Sequence, residues 1–331
     1  MLIRGSRYDF DEILLTSSMP DEIELWLRIN RQKKVYVLRE GQSLRNIINP
    51  TLDPNVNYDM DALLPALDAS RVIKDHDEIV AIRKAIDISS IAHHAVLHHI
   101  TALKTEAEVH ALYLDVCIAH GTQLQAYPPI VASGANASVL HYMDNNQALK
   151  GRSLLCMDAG CEWECYASDI TRTFPLSASG WPSKETEEIY ALVEEMQERC
   201  IEMLKPGVRY LDAFYQADRI AAKGLIRLGI FKGDIDELLK SGTNKAVFPH
   251  GLGHHMGLDV HDVSAKPILS SHEERISPRE RQERLKARDD FKWTYAPCTI
   301  NAALLEPGMV ITVEPGICTL PPMKLQGMLL T

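Results

Sequence analysis

The residues best suited to chemistry fall into three groups that lie far apart along the chain. The first holds two aspartates, in Met157-Asp158-Ala159-Gly160 and Ser168-Asp169-Ile170-Thr171-Arg172. If their flanking runs form a hairpin with a tight turn centred between Trp163 and Glu164, Asp158 is predicted directly opposite Asp169. Directly opposed residues have Cβ atoms about 4.5–5.5 Å apart. Two carboxylates that close repel unless they share a proton or bind a cation. Neither Asn-Gly nor Asp-Gly marks the turn, and two ordinary strand-end aspartates are the competing reading. Aspartate is depleted within strands, however, so one in an apolar run calls for a reason.

The second group is Pro249-His250-Gly251-Leu252-Gly253-His254-His255-Met256-Gly257, followed by Asp259-Val260-His261-Asp262. In an extended segment His250 and His254 project to one face and His255 to the other. The glycines allow close approach of the backbone to a ligand, and imidazole is a good transition-metal ligand. A Gly-rich turn with solvated histidines is the alternative, and for His255 it is the preferred one. The third group is Glu306-Pro307-Gly308 through Thr312-Val313-Glu314-Pro315-Gly316. Glu314 lies between an apolar run and a Pro-Gly turn, where a buried acid is costly unless paired or coordinated. Glu306 precedes the run and reads as a solvated turn residue.

These groups need elements to carry them. Apolar spacing predicts a long amphipathic helix from Asp75, with Ile79, Ile82, Ala85, Ile86, Ile88 and Ile91 on its apolar positions. Further helices are expected over Thr105–Ala119, from about Ser183 to Leu204 before Pro206-Gly207, and over roughly Tyr210–Leu228 before Gly229. Strand-like runs are Leu154–Asp158, Tyr166–Phe174 and Met309–Val313. His93, His94, His98 and His99 fall on the first long helix without an H-E-x-x-H arrangement, so packing or surface roles are expected for them. His141, after Ala137-Ser138-Val139-Leu140, means little by itself. The change of character near Ser70–Lys74 predicts a boundary between a small α/β unit (1–74) and a larger domain (75–331).

With 331 residues, 46% hydrophobic, the chain has the composition of a globular protein. A net charge of −10 disfavours a general nucleic-acid binder. The mixed-sign stretch Glu273–Asp290 reads as a solvated helix or loop. No apolar run is long enough to span a membrane, and the first residues lack a signal-like apolar core. The seven cysteines have no disulfide or zinc-finger spacing, so reduced, mostly buried thiols in a cytoplasmic protein are expected.

Taken together, the blocks Val139-Leu140-His141-Tyr142, Asp158-Ala159-Gly160, Ser168–Pro175, His250–Asp262 and Thr312–Gly316 resemble the M24 metallopeptidases, particularly the prolidase and Xaa-Pro aminopeptidase branch. The resemblance covers roughly residues 75 to 317. It implies an α+β pita-bread catalytic domain, with residues 1–74 as part of the family's leading α/β domain. It implies Asp158, Asp169, His254 and Glu314 as metal ligands, and two divalent ions, commonly manganese. It further implies His250, His261 and Glu314 in proton handling or oxyanion stabilisation, and His141 in substrate binding. The substrate it implies is a peptide with proline at the second position, trimmed by an aminopeptidase or, as the near alternative, a prolidase acting on the dipeptide. The oligomeric state stays open, a homodimer among the options.

The match breaks at Gly316-Ile317. The family supplies a second glutamate bridging both ions from a later strand, whereas none of the 17 residues after Glu314 is acidic. The expectation for this chain is a domain truncated at its C-terminus, with weakened occupancy of at least one metal position and low activity. A catalytically impaired pita-bread binding protein is the reading from a different class.

Overall fold

The computed structural model of the chain describes residues 15–30, 32–38, 58–59, 61–263 and 304–318. Its contacts divide into two units, Met1–Ser70 and Arg71–Thr331. In the first, helix α1 (Met19–Ile29) is followed by a parallel pair, β1 (Val35–Tyr36) with β2 (Tyr58–Asp59), and by helix α2 (Leu63–Val72), which runs on into the second. Neither helix is foreseen from sequence. Pro20 and Pro65 each sit in a first turn, where proline loses no hydrogen bond.

The second unit holds four helices where the sequence predicts them, each for a local reason. Helix α3 (His76–His99) starts at a reciprocal capping box: Asp75 accepts from the Glu78 N–H while Glu78 accepts from the Asp75 N–H. Thr105 caps α4 (Glu106–Ala119) and Ser183 caps α5 (Lys184–Met203) through side-chain oxygens. Helix α6 (Tyr210–Arg227) is followed by a short α7 (Ile235–Ser241), two turns too brief to leave a periodic signal. Ala85, Ile88, Ala92 and Val96 of α3 are buried at helical spacing in one core with Val109 and Tyr113 of α4. His93 is buried in that stripe, while His94, His98 and His99 are exposed.

Two small antiparallel sheets lie against this first core. One has the order β3 (Leu124–Gln125), β6 (Cys161–Trp163), β7 (Tyr166–Ala167). The other has the order β4 (Ile130–Ser133), β5 (Leu154–Asp158), β8 (Thr171–Pro175). A second core gathers α5 and α6 around Phe214, Phe248 and Leu252. On it lies an irregular antiparallel ladder joining 252–256 to 310–314, with Thr312 N–H on the His254 carbonyl at 2.9 Å and Glu314 N–H on Leu252 at 2.8 Å. The expected strand Met309–Val313 is this ladder's second half. Among the described cysteines, Cys117, Cys161 and Cys200 are buried, Cys165 is exposed, and all are free thiols. Glu273–Asp290 lies outside the described residues.

Candidate metal centre

The two aspartates meet, but not in the predicted register. In the β5–β8 pair Asp158 faces Thr171, and in β6–β7 Glu162 faces Ala167. The turn is therefore Glu164-Cys165, one position later than expected, and both residues have positive φ (48° and 71°). Two adjacent left-handed residues fit a two-residue hairpin of the tightest kind, normally made by Asn-Gly. Neither residue type advertises it, which is why the register prediction slipped. Asp169 thus falls two positions from the partner of Asp158, a diagonal neighbour on the same face, and the single strand expected over Tyr166–Phe174 is broken at 168–170. Gly160 permits the tight pass at this break. A Cβ there would lie 1.8 Å from the Ser168 carbonyl oxygen, so any side chain would force the two segments apart.

A residue that the sequence reading missed joins the pair. The Tyr127 hydroxyl lies 2.8 Å from Asp169 Oδ1 and in a short contact with Asp158 Oδ1. Its single proton satisfies one carboxylate at a time, and burial beside both negative charges pushes the phenol far above its ordinary range. Burial, opposed by Tyr127 and reinforced by the charges of Asp169 and Glu314, raises Asp158 to about 6.

His254 and Glu314 arrive on the ladder of the second core. His254 Nε2 lies 3.3 Å from Asp169 Oδ2 and 3.0 Å from Glu314 Oε1. Ligand atoms of Asp169, His254 and Glu314 all fall within 4.8 Å of one another, and Asp158 stands one phenol away. Thr312 ties the two ladder arms together: its hydroxyl donates to Glu314 Oε1 at 2.8 Å and accepts the His254 N–H at 3.0 Å. The His254 Nδ1–H donates to the His255 carbonyl at 2.8 Å, which leaves the lone pair on Nε2. Nε2 is buried and, despite its two close carboxylates, has no aligned hydrogen-bond partner. In the neutral ring that lone pair is free for a cation; without one, Asp169 and Glu314 outweigh the opposing effect of burial and raise His254 to about 10, which puts a proton on Nε2 in its place. One imidazole lone pair converging with three carboxylates is a donor set that fits a hard or borderline divalent cation such as manganese.

Three further histidines share the same cleft, which is lined by His141, Asp158, Asp169, His250, His254, His261 and Glu314. His261 is exposed at its outer edge and sets its ring edge-on to His254 with centroids 4.2 Å apart; partial desolvation of the ring and the neighbouring His254 lower its pKa. His250 donates Nδ1–H to the Gly251 carbonyl at 2.8 Å and packs edge-on to Phe248. His141 is exposed, with a left-handed backbone (φ 57°). His250 and His254 line the cleft while His255 does not, as an extended segment requires. His255 is not solvated, however: it is 3% exposed, because the ladder pairs it with Ile311 and turns it into the protein. Glu306 is exposed, as expected.

The description Metallopeptidase family M24 matches residues 80–328. A protein of Aspergillus fumigatus named probable Xaa-Pro aminopeptidase is 47% identical over 313 residues, covering 94% of this chain and 62% of its own length. A probable Xaa-Pro aminopeptidase of Pyrenophora tritici-repentis is 48% identical over 320 residues, with 94% of this chain and 47% of that protein covered. Among solved structures, aminopeptidase P of Escherichia coli in its low-pH form superposes with a TM-score of 0.75 at 29% identity, covering 95% of this chain and 66% of that one. A zinc-substituted form of the E. coli enzyme with product superposes at 0.73 and 30% identity, again over 95% and 66%. The chain therefore spans about 62% of the length of the first of these relatives. With the five motif blocks in order, the converging acids and imidazoles, and these matches, the chain belongs to metallopeptidase family M24 and has its α+β pita-bread fold.

Proposed function

We propose that this chain carries the metal centre of a Xaa-Pro aminopeptidase, with Asp158, Asp169, His254 and Glu314 as ligands to two divalent ions, manganese the expected metal. The observation that carries this reading is the buried, unpartnered His254 Nε2 aimed among carboxylates. When bound, such ions supply Lewis-acid polarisation of a carbonyl and an acidified water. The protein's own groups do the rest. Glu314, held by the Thr312 hydroxyl, presents a carboxylate to accept the nucleophile's proton. Exposed His261, beside His254, and His250, fixed by Gly251, are placed to donate to a developing oxyanion or to the leaving prolyl nitrogen. His141, which lines the same cleft, is the substrate-binding imidazole. The substrate is a peptide with proline in second place; nucleic acid and membrane are not partners, and the compartment is the cytoplasm.

Both fungal relatives are named as probable Xaa-Pro aminopeptidases, which favours aminopeptidase over prolidase. An assay of a Xaa-Pro dipeptide beside a longer peptide beginning Xaa-Pro, with Mn²⁺ added, tests both levels. Release of the first residue from the longer peptide, lost on Asp169→Asn, is expected. Hydrolysis of the dipeptide alone points to prolidase, and hydrolysis of neither overturns the reading.

A further inference from the structure

The loop that carries His261 is anchored from outside the cleft, by the end of α2 and the short segment that joins it to α3. Lys74 Nζ lies 2.7 Å from Asp262 Oδ2, and both side chains are 1% exposed. Arg71 takes the other oxygen, Oδ1, at 2.6 Å, and also holds Asp259 Oδ2 at 2.6 Å. Both oxygens of Asp262 are thus claimed by cations, and Asp262 is the immediate neighbour of His261. The loop closes around this pair: Asp262 N–H donates to the His255 carbonyl at 2.9 Å, and Gly257 N–H to Asp259 at 3.0 Å. Position 257 must be glycine, because a Cβ there would sit 2.5 Å from Asp262 Oδ2 and 2.8 Å from Lys74 Cε. The same segment grips the other arm of the site. Lys74 N–H donates to the Gly308 carbonyl at 2.8 Å, and Ile73 bridges Met309, where the chain sets out towards Glu314.

Stability alone does not account for a pair of this kind. Desolvating an ammonium and a carboxylate is costly, and apolar groups of similar volume commonly serve as well or better. What a charge-assisted pair adds is direction, since its short hydrogen bonds hold one geometry where apolar packing tolerates several. We infer that the buried Lys74–Asp262 pair, braced by Arg71, is a positioning device that fixes His261 against His254 for the hydrolytic step. This inference rests on the peptidase reading above for its catalytic consequence, though not for its geometry.

The test replaces both charges at once, with Lys74→Met and Asp262→Leu in one chain, so that no lone charge stays buried. Two readouts are taken on the full chain loaded with Mn²⁺ or, for spectroscopy, with diamagnetic Zn²⁺. The first is kcat and KM on a Xaa-Pro peptide. The second is the His261 ring signal in protein labelled with Cε1-¹³C histidine, assigned by its disappearance in His261→Asn. The expected result is a folded, metal-binding double variant whose kcat falls roughly 10- to 100-fold, in the range of lost supporting contacts. Its KM stays within about threefold, since substrate binding is not what the pair supports, and the His261 signal moves. A double variant with unchanged kcat and an unmoved His261 signal overturns the inference, leaving the pair a purely structural link. Should the double variant not fold, Arg71→Gln removes only the partly exposed brace; a smaller fall in kcat with a shifted His261 signal is expected, and no change in either overturns it. If the unmodified chain cleaves no Xaa-Pro peptide, the peptidase reading fails on its own. The His261 signal then decides the positioning claim alone.

Discussion

At the scale of single residues, the site depends on groups that touch the ligands as much as on the ligands. Tyr127 holds Asp158 and Asp169 through one hydroxyl. Tyr127→Phe leaves the ring's packing in place and removes that bridge, so metal affinity or activity is expected to fall about 10- to 100-fold with little change in folding. Isothermal titration with Mn²⁺ beside a thermal melt checks it. His93 offers a pH prediction. It is 6% exposed, donates Nε2–H to the Ala159 carbonyl at 3.1 Å, and burial lowers it from an ordinary 6.5 to about 4. Its folded-state pKa is depressed, so the unfolded chain binds the extra proton between those values. The contribution of neutral His93 is full above pH 6.5, is lost on acidification towards pH 4, and amounts to about 2–3 kcal/mol. Raised Asp158 pulls the opposite way, since its folded form takes up a proton near pH 6. The clean measurement is therefore a difference: urea unfolding of His93→Gln against the parent from pH 7 to 4 should show a shallower acid loss in the variant.

At the scale of elements, two junctions carry the site. The first is the pass at Gly160, where β5 leaves Asp158 and the chain returns at Ser168. Gly160→Ala drives a methyl into the Ser168 carbonyl at 1.8 Å, so it should separate Asp158 from Asp169. Failure to bind Mn²⁺, or failure to fold, is the expected outcome; tight metal binding by a folded Gly160→Ala chain would contradict the geometry. The second junction is Glu106, at the start of α4 and fully buried. Its carboxylate accepts from Ser133 N–H and Oγ–H, Asn136, Tyr142 and Gln147 N–H. These donors span the segment that presents His141 in its left-handed conformation. Glu106→Ala leaves them unpaired and should cost roughly 3–5 kcal/mol, as expected for emptying a buried charged network. Chemical denaturation measures it.

At the scale of the whole molecule, the proposed ligand set is split between two cores. Asp158 and Asp169 hang from the α3–α4 core, whereas His254 and Glu314 hang from the α5–α6 core. A cation held by both is a cross-link that exists only in the folded state. Mn²⁺ at a hundred times its dissociation constant should add about 2.7 kcal/mol to stability and raise Tm by roughly a few degrees. His254→Ala should abolish that shift while EDTA reverses it in the parent.

Much of this was legible in one dimension. Capping residues Asp75, Thr105 and Ser183 announce their helices because a cap acts within three positions of itself. The four proposed ligands draw notice because acids and imidazoles in apolar or Gly-rich settings lack an ordinary reason to be there, and the family resemblance singles them out. Registers and partners were not legible. The Glu164-Cys165 turn was missed because its unusual dihedrals are imposed by the sheets on either side rather than by residue type. Tyr127 and Thr312 resemble any tyrosine and threonine until folding brings them to the carboxylates. His255 read as solvated because burial is decided by what lies across the ladder. The sequence by itself determined which side chains could bind a cation and which helices would carry them, since propensity and chemistry are properties of residues and their near neighbours. Tertiary structure alone decided that Asp158 sits diagonal to Asp169, that a phenol joins them, and that Lys74 braces the His261 loop, because distances between segments far apart in the chain are set by packing.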